Sequence, residues 1–218
     1  MMAKKPWIDW QVCGIFTADR SDVIREAVDH WMHVTRLDNV VYLCSKKRRE
    51  QPALYELRFY LEDMSTKRSN RFLQVASLIT PRTVVIFDDV ETIRRYPQSM
   101  TRNIINHIAP LTRYKISAGG ALIINNLYDL YAEFAILDKR ILHANHYWCF
   151  KDAHREISVF DGKTVMDNKD AEYLAAKLSP FVRFDLEPEN ETQAELYAAM
   201  RTTPALERVQ DISMLRLQ

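Results

Sequence analysis

The sequence predicts an α/β domain, a parallel β-sheet covered on both faces by helices. Two observations carry this. Short runs that are apolar at nearly every position recur along the chain, at Val12–Phe16, Val40–Cys44 and Val84–Phe87. A strand of that kind is buried on both faces. Between such runs lie segments with apolar residues at helical spacing, such as Val23, Ala27, Trp31 and Val34. Strands alternating with helices build crossover units, and crossover units build a parallel sheet.

Taken in order, Val12–Phe16 reads as a buried strand, followed by a helix over Asp22–Thr35. Val40–Cys44 is a second strand. Leu54, Leu57 and Leu61 recur every three or four residues, which predicts a helix over Ala53–Glu62. Phe72–Ile79 fits either a strand or a helix. Val84–Phe87 is the strongest strand and runs into Asp88-Asp89. A helix over Ser99–Ile108 and a short strand over Tyr114–Ser117 follow, the latter ended by Gly119-Gly120. Leu127, Leu130, Tyr131, Phe134 and Leu137 predict an amphipathic helix over Asn126–Leu137. Beyond Leu142 come a hairpin turning at Asp161-Gly162, a helix over Lys169–Leu178, an extended Phe181–Leu186 and a helix over Thr192–Met200. From Thr202 the chain reads as a tail.

Composition bounds the rest. The chain is 47% hydrophobic and 27% charged with a net charge of +1, so any basic surface is local. No apolar run approaches the roughly 18 residues of a membrane span. The first residues, Met-Met-Ala-Lys-Lys-Pro-Trp, carry no apolar stretch behind the lysines, so no secretory leader is expected and the expected compartment is the cytoplasm. Cys13, Cys44 and Cys149 form no C-x-x-C pair and read as buried free thiols in a reducing compartment. His143-x-x-His146 lacks further ligands at metal spacing and reads as surface; His30 and His33 read as packing. Trp7 and Trp10 read as sealing the sheet edge, with base stacking as the alternative.

In parallel sheets, ligands bind outside the carboxyl ends of the strands. Three segments fall there: 14–21, 88–91 and 117–121. Gly14-Ile-Phe-Thr-Ala-Asp-Arg-Ser21 has the length and place of a phosphate loop, G-x-x-x-x-G-K-[S/T]. That loop needs glycines so that backbone N–H groups can wrap phosphates, a lysine for the β and γ phosphates, and a hydroxyl for Mg²⁺. Gly14 and Ser21 keep the pattern. Asp19 replaces the inner glycine and Arg20 the lysine. A carboxylate about 4 Å from a phosphate charge repels it by roughly 4 kcal/mol at an effective dielectric of 20. The competing reading is a plain helix-capping loop with Asp19 or Ser21 as N-cap. Val84-Val-Ile-Phe-Asp-Asp-Val-Glu91 has the form of an acidic box at a strand end, where carboxylates hold Mg²⁺ and orient water. Its competing reading is again a helix cap.

The segment Tyr114–Asp138 resembles the third helicase motif and following helix of Swi/Snf-type ATPases: a strand, a glycine turn, the pair Asn125-Asn126, then Leu127-Tyr-Asp-Leu-Tyr-Ala-Glu-Phe-Ala-Ile-Leu-Asp138. Tyr147-Trp-Cys-Phe-Lys151, Leu178-Ser-Pro-Phe-Val-Arg183 and Gln193 to Tyr197 resemble later elements of the same family, in the same order. The resemblance runs from about Cys13 to Met200. It implies a single RecA-like, P-loop NTPase-type lobe over 1–190 and a hinge-like helix and tail over 191–218.

The departures from the family pattern bear on activity. Asp88 stands at the metal position, but Asp89 stands where the water-activating glutamate belongs. Ser117-Ala-Gly-Gly-Ala121 lacks the family's threonine-proline turn. The second lobe, which supplies an arginine finger worth about 10³ to 10⁵ in rate in related hydrolases, is not in the sequence. The implied protein is a pseudo-ATPase that binds a protein partner, nucleic acid or both, as suits a phage or mobile-element protein. No cofactor and no catalytic residue are then expected, Asp88 and Asp89 being degenerate. The alternative is one subunit of a split DNA-dependent ATPase that still binds ATP and Mg²⁺ through Arg20, Ser21, Asp88 and Asp89. Ser45-Lys-Lys-Arg-Arg49 follows the second strand, and Lys46, Lys47, Arg48 and Arg49, with Lys67 and Arg68, form the candidate nucleic-acid or acidic-partner surface. A solvated loop is the competing reading.

Overall fold

The computed structural model describes residues 11–94, 96–124, 127–157, 164–166 and 170–202. The readings placed on Trp7, Trp10, Asn125-Asn126, the Asp161-Gly162 turn and the tail beyond Thr202 lie outside them.

Six parallel strands form one sheet in the order β3-β2-β4-β5-β1-β8. They are β1 (Val12–Thr17), β2 (Val40–Cys44), β3 (Leu57–Tyr60), β4 (Val84–Asp88), β5 (Tyr114–Ala118) and, after a separate antiparallel pair of β6 (Arg155–Ile157) and β7 (Thr164–Met166), β8 (Val182–Asp185). The helices are α1 (Arg20–Val34), α2 (Asn70–Leu78), α3 (Ser99–Asn103), α4 (Asp129–Leu137), α5 (Tyr147–Ala153), α6 (Asp170–Leu178) and α7 (Glu191–Thr202). A π turn over Ile104–Ile108 extends α3, so the predicted helix ends where expected.

Strand side chains alternate between faces, and the two cores follow that parity. Cys13, Ile15, Tyr42, Cys44, Val84, Ile86, Ile116 and Ala118 point to one face, where Ile24, Ala27, Val28 and Trp31 of α1 cover them. Phe16, Val41, Leu43, Phe59, Val85 and Phe87 point to the other, under the remaining helices. This is the α/β lobe with helices on both faces that the sequence predicts.

Two elements differ from expectation and one open reading is resolved. Ala53–Glu62 is not a helix: Leu57–Tyr60 is an edge strand beside β2, followed by a 3₁₀ turn over Leu61–Ser65. Leu57 and Phe59 pack on one core while Tyr60 packs on the other, and pairing with β2 overrides the leucine spacing. Phe72–Ile79 resolves to helix α2, because the Ser69 hydroxyl caps it, accepting from Phe72 N at 3.2 Å, and Phe72 and Val75 turn inward. The expected amphipathic helix α4 is buried at every position from Leu130 to Leu137. Its apolar residues all belong to the larger core, so the stretch has no solvent face.

The last helix shares the lobe's core. Leu196, Tyr197 and Met200 of α7 are buried, and the Tyr197 ring meets Phe184 of β8 edge-on at 4.5 Å. No helix among the described residues is long and apolar enough to cross a membrane.

Candidate functional site

The carboxyl ends of β1, β2, β4 and β5 bring together Arg20, Arg48, Asp88, Asp89 and Glu91. Parity explains the placement. Asp88 continues the Val84–Ile86 face of β4, so its side chain emerges on the α1 side. Tyr42, beside Ile86 on the neighbouring strand, shares that face. The Tyr42 hydroxyl donates to Asp88 Oδ2 at 2.5 Å. Arg20 is the first residue of α1 and lies over the same face.

Arg20 binds both carboxylates. Its Nε donates to Asp88 Oδ1 at 2.8 Å and its Nη2 to Asp89 Oδ1 at 2.6 Å. Arg48 closes the ring from the other side, with Nε on Asp89 Oδ2 at 2.7 Å and Nη1 3.4 Å from Asp88 Oδ2. Asp89 N donates to Asp88 Oδ1 at 2.9 Å, across a left-handed Asp89 backbone with φ 59°, a conformation aspartate tolerates better than most residues. All four carboxylate oxygens are therefore engaged by donors within the protein. Asp88 is fully buried.

Charge sets the proton affinities. Burial lowers the Arg20 pKa, but Asp88 and Asp89 more than offset this and hold it above its ordinary value. Burial and the adjacent Asp88 charge push the Asp89 carboxyl up to about 6, against the pull of Arg20. Burial, then the Asp88 charge, raises the Tyr42 phenol far above its usual range, so it stays a donor.

The turn after β5 completes the site. Gly120 N and Ala121 N both donate to Glu91 Oε1, the latter at 3.1 Å. Glycine makes room for this carboxylate: a Cβ on Gly119 would lie 2.6 Å from Glu91 Oε1. Behind the turn, buried Arg94 pairs with buried Glu133 of α4 and donates to the Ala121 carbonyl. Burial pushes the Glu133 carboxyl up to about 8, with Arg94 pulling it down.

The phosphate-loop candidates do not converge. Gly14 lies inside β1, paired with Ser117 and Val182. Only Ala18 and Asp19 join β1 to α1. Asp19 is exposed at the helix N-terminus without a side-chain cap bond, and Ser21 is half-buried in the first turn. The basic run also divides. Ser45 and Glu62 fix a 3₁₀ turn over Lys46–Arg48, with Lys47 N on Ser45 Oγ at 3.2 Å and Lys46 N on Glu62 at 3.0 Å. That turn aims Arg48 inward. Lys46 pairs with Asp63 at 2.7 Å. Lys47, Arg49, Lys67 and Arg68 remain exposed.

Arg48 as a partner of the aspartates, Tyr42 and the Arg94–Glu133 pair are site features that no motif in the sequence marks. Glu133 carried a readable signal, a lone carboxylate in a run of otherwise apolar helix. Cys149, expected buried, is exposed on the short helix α5 beside exposed Trp148; Cys13 and Cys44 are buried as expected. Among the described residues no cluster of three or more His, Cys, Asp or Glu is arranged to hold a metal ion.

No protein-family model and no curated protein matches the chain. Among solved structures, the chain is similar to a Sulfolobus solfataricus SWI2/SNF2 ATPase core in complex with dsDNA. The TM-score is 0.58 at 14% identity, over 83% of this chain and 41% of that one. The chain thus spans less than half the length of that protein, and at this identity the likeness is one of fold: a RecA-like α/β lobe of the kind found in a Swi/Snf-type ATPase core.

Proposed function

We propose that this lobe acts by binding, as a pseudo-ATPase, and that duplex DNA is the ligand its exposed cations serve. The observation that carries the reading is the closed ring of Arg20, Arg48, Asp88 and Asp89. A Mg²⁺ ion at Asp88 would have to displace two guanidinium groups and a phenol from carboxylate oxygens already engaged. A nucleotide triphosphate would meet three carboxylates, those of Asp88, Asp89 and Glu91, against two arginines. The two-residue connection at Ala18-Asp19 has no glycine and is too short to wrap phosphates with successive N–H groups. The residues present therefore do not fit Mg-ATP. A split ATPase completed by another polypeptide requires this ring to open.

The DNA reading rests on exposed Lys47, Arg49, Lys67 and Arg68 beyond β2 and β3, and on the dsDNA bound by the similar ATPase core. Fluorescence anisotropy with a labelled duplex tests it across a salt series. Binding is expected without nucleotide, and the double variant Lys47→Ala, Arg49→Ala flattens the log K against log salt slope by about 0.9 for each phosphate that is no longer neutralised. Absence of binding at low salt, or a slope untouched by the double variant, would retire the DNA reading and leave a protein partner as the ligand.

A further inference from the structure

We infer that Glu91 and helix α7 are mechanically coupled through the turn Gly119–Ile124, which acts as a strut between the filled site and the helix. The coupling is independent of whether nucleotide binds.

The backbone of this turn is bound from both sides. On the site side, Gly119 N donates to Ile15 O at 3.1 Å, and Gly120 N and Ala121 N donate to Glu91 Oε1. The Ala121 carbonyl accepts from Arg94. Glu91 and Arg94 belong to the same short segment that follows Asp89. On the far side, Leu122 N donates to the Tyr197 hydroxyl at 3.2 Å, and Gln193 Nε2 donates to the Ile123 carbonyl at 2.8 Å. Asn190, just before α7, donates from Nδ2 to the Ile124 carbonyl at 3.3 Å. Gln193 and Tyr197 are buried at 2% and 1% exposure, so these are interior bonds whose loss leaves unpaired groups. Between the two sets the peptides of Gly120 to Ile123 are contiguous.

A peptide unit is planar, so its N–H and C=O groups move together. If Glu91 is withdrawn, Gly120 N and Ala121 N lose their shared acceptor and the turn relaxes. Leu122 N and the Ile123 carbonyl then leave the geometry in which Tyr197 and Gln193 hold α7. Coupling of this kind is reciprocal. Weakening α7 must loosen Gly120 and Ala121. Glu91 thus acts as a positioning residue for α7 through the backbone of the turn, by supplying the shared acceptor for Gly120 N and Ala121 N.

Hydrogen–deuterium exchange on the full chain tests the coupling. In Glu91→Ala, exchange of α7 amides is expected to rise at least tenfold over wild type, against less than threefold in α1. Glu91→Gln keeps an acceptor oxygen and restores α7 protection to within threefold. In the reverse direction, Tyr197→Phe raises exchange at Gly120 and Ala121 at least fivefold. Equal change in α1 and α7, or no rescue by Glu91→Gln, overturns the coupling. Should Glu91→Ala fail to fold, Tyr197→Phe decides: unchanged exchange at Gly120 and Ala121 overturns it.

Discussion

Replacing Arg20 by alanine tests whether the ring of arginines and aspartates holds the site together. Arg20 contacts a fully buried Asp88 at 2.8 Å and Asp89 at 2.6 Å, and its own side chain is 15% exposed. Removing one partner of a buried ion pair costs roughly 3–5 kcal/mol, because the other charge is left uncompensated. Arg48 remains beside both carboxylates, and Arg20 is partly screened by solvent, so about 2–3 kcal/mol is the appropriate figure. For a domain of this size that lowers the thermal midpoint by about 5–10 °C. Urea unfolding, followed by tryptophan fluorescence, measures it directly. Adding Asp89→Asn to Arg20→Ala leaves Arg48 facing one carboxylate charge instead of two and is expected to recover part of the loss. A cost of about 0.5 kcal/mol or less, as for an ordinary surface pair, would show that the ring does not hold the site together, and so would an Asp89→Asn effect that simply adds.

Three further outcomes follow from the same geometry. Glu133 has its carboxyl raised by burial from an ordinary 4.5 to about 8. The folded chain therefore holds that proton where the unfolded chain has lost it, and stability falls as pH rises from about 5 to 8, by up to roughly 1.4 kcal/mol per pH unit. Asp89, raised to about 6, adds in the same sense at the acid end of that range. Denaturant midpoints across pH measure the slope, and Glu133→Gln should remove it above about pH 6; a slope that survives there points to another group. Thiol titration of the native chain should find fast reaction at exposed Cys149 alone, with Cys13 and Cys44 released only on unfolding; three fast thiols would contradict the packing of β1 and β2. Arg48→Ala should leave the salt dependence of DNA binding unchanged, since its guanidinium faces Asp89 at 2.7 Å rather than solvent; a slope reduced as much as by the Lys47, Arg49 double variant would show Arg48 on phosphate.

How far the sequence could be read depends on what each feature needs. The central strands were legible because burial on both faces demands runs such as Val84–Phe87. The edge strand Leu57–Tyr60 was not, because among the described residues one side of it has no strand neighbour, and the leucines around it fell at helical spacing. Asp88 and Asp89 could be placed at a strand end from the apolar run before them. What they bind could not, since Arg48 reaches them only because β2 lies next to β4 in the sheet while Arg20 arrives from α1. The four cations of 46–49 read as one surface; the fold divides them, because a 3₁₀ turn capped by Ser45 aims Arg48 at Asp89 and leaves Lys47 and Arg49 outside. Gly14 matched a phosphate-loop pattern by position, yet β1 runs past it to Thr17, a boundary set by pairing with β8 rather than by local sequence.

In the proposed binding lobe, the ring of Arg20, Arg48, Asp88 and Asp89 stands where a nucleotide would bind. Thermal unfolding with and without a non-hydrolysable ATP analogue and Mg²⁺, up to millimolar ligand, tests it most directly. Ligand at 100 times its Kd would stabilise the chain by about 2.7 kcal/mol and raise the midpoint by roughly 5–10 °C. With the carboxylates held by Arg20 and Arg48, no shift is expected. A shift of that size, lost in Asp88→Ala, would contradict it and make this lobe a working half of an ATPase.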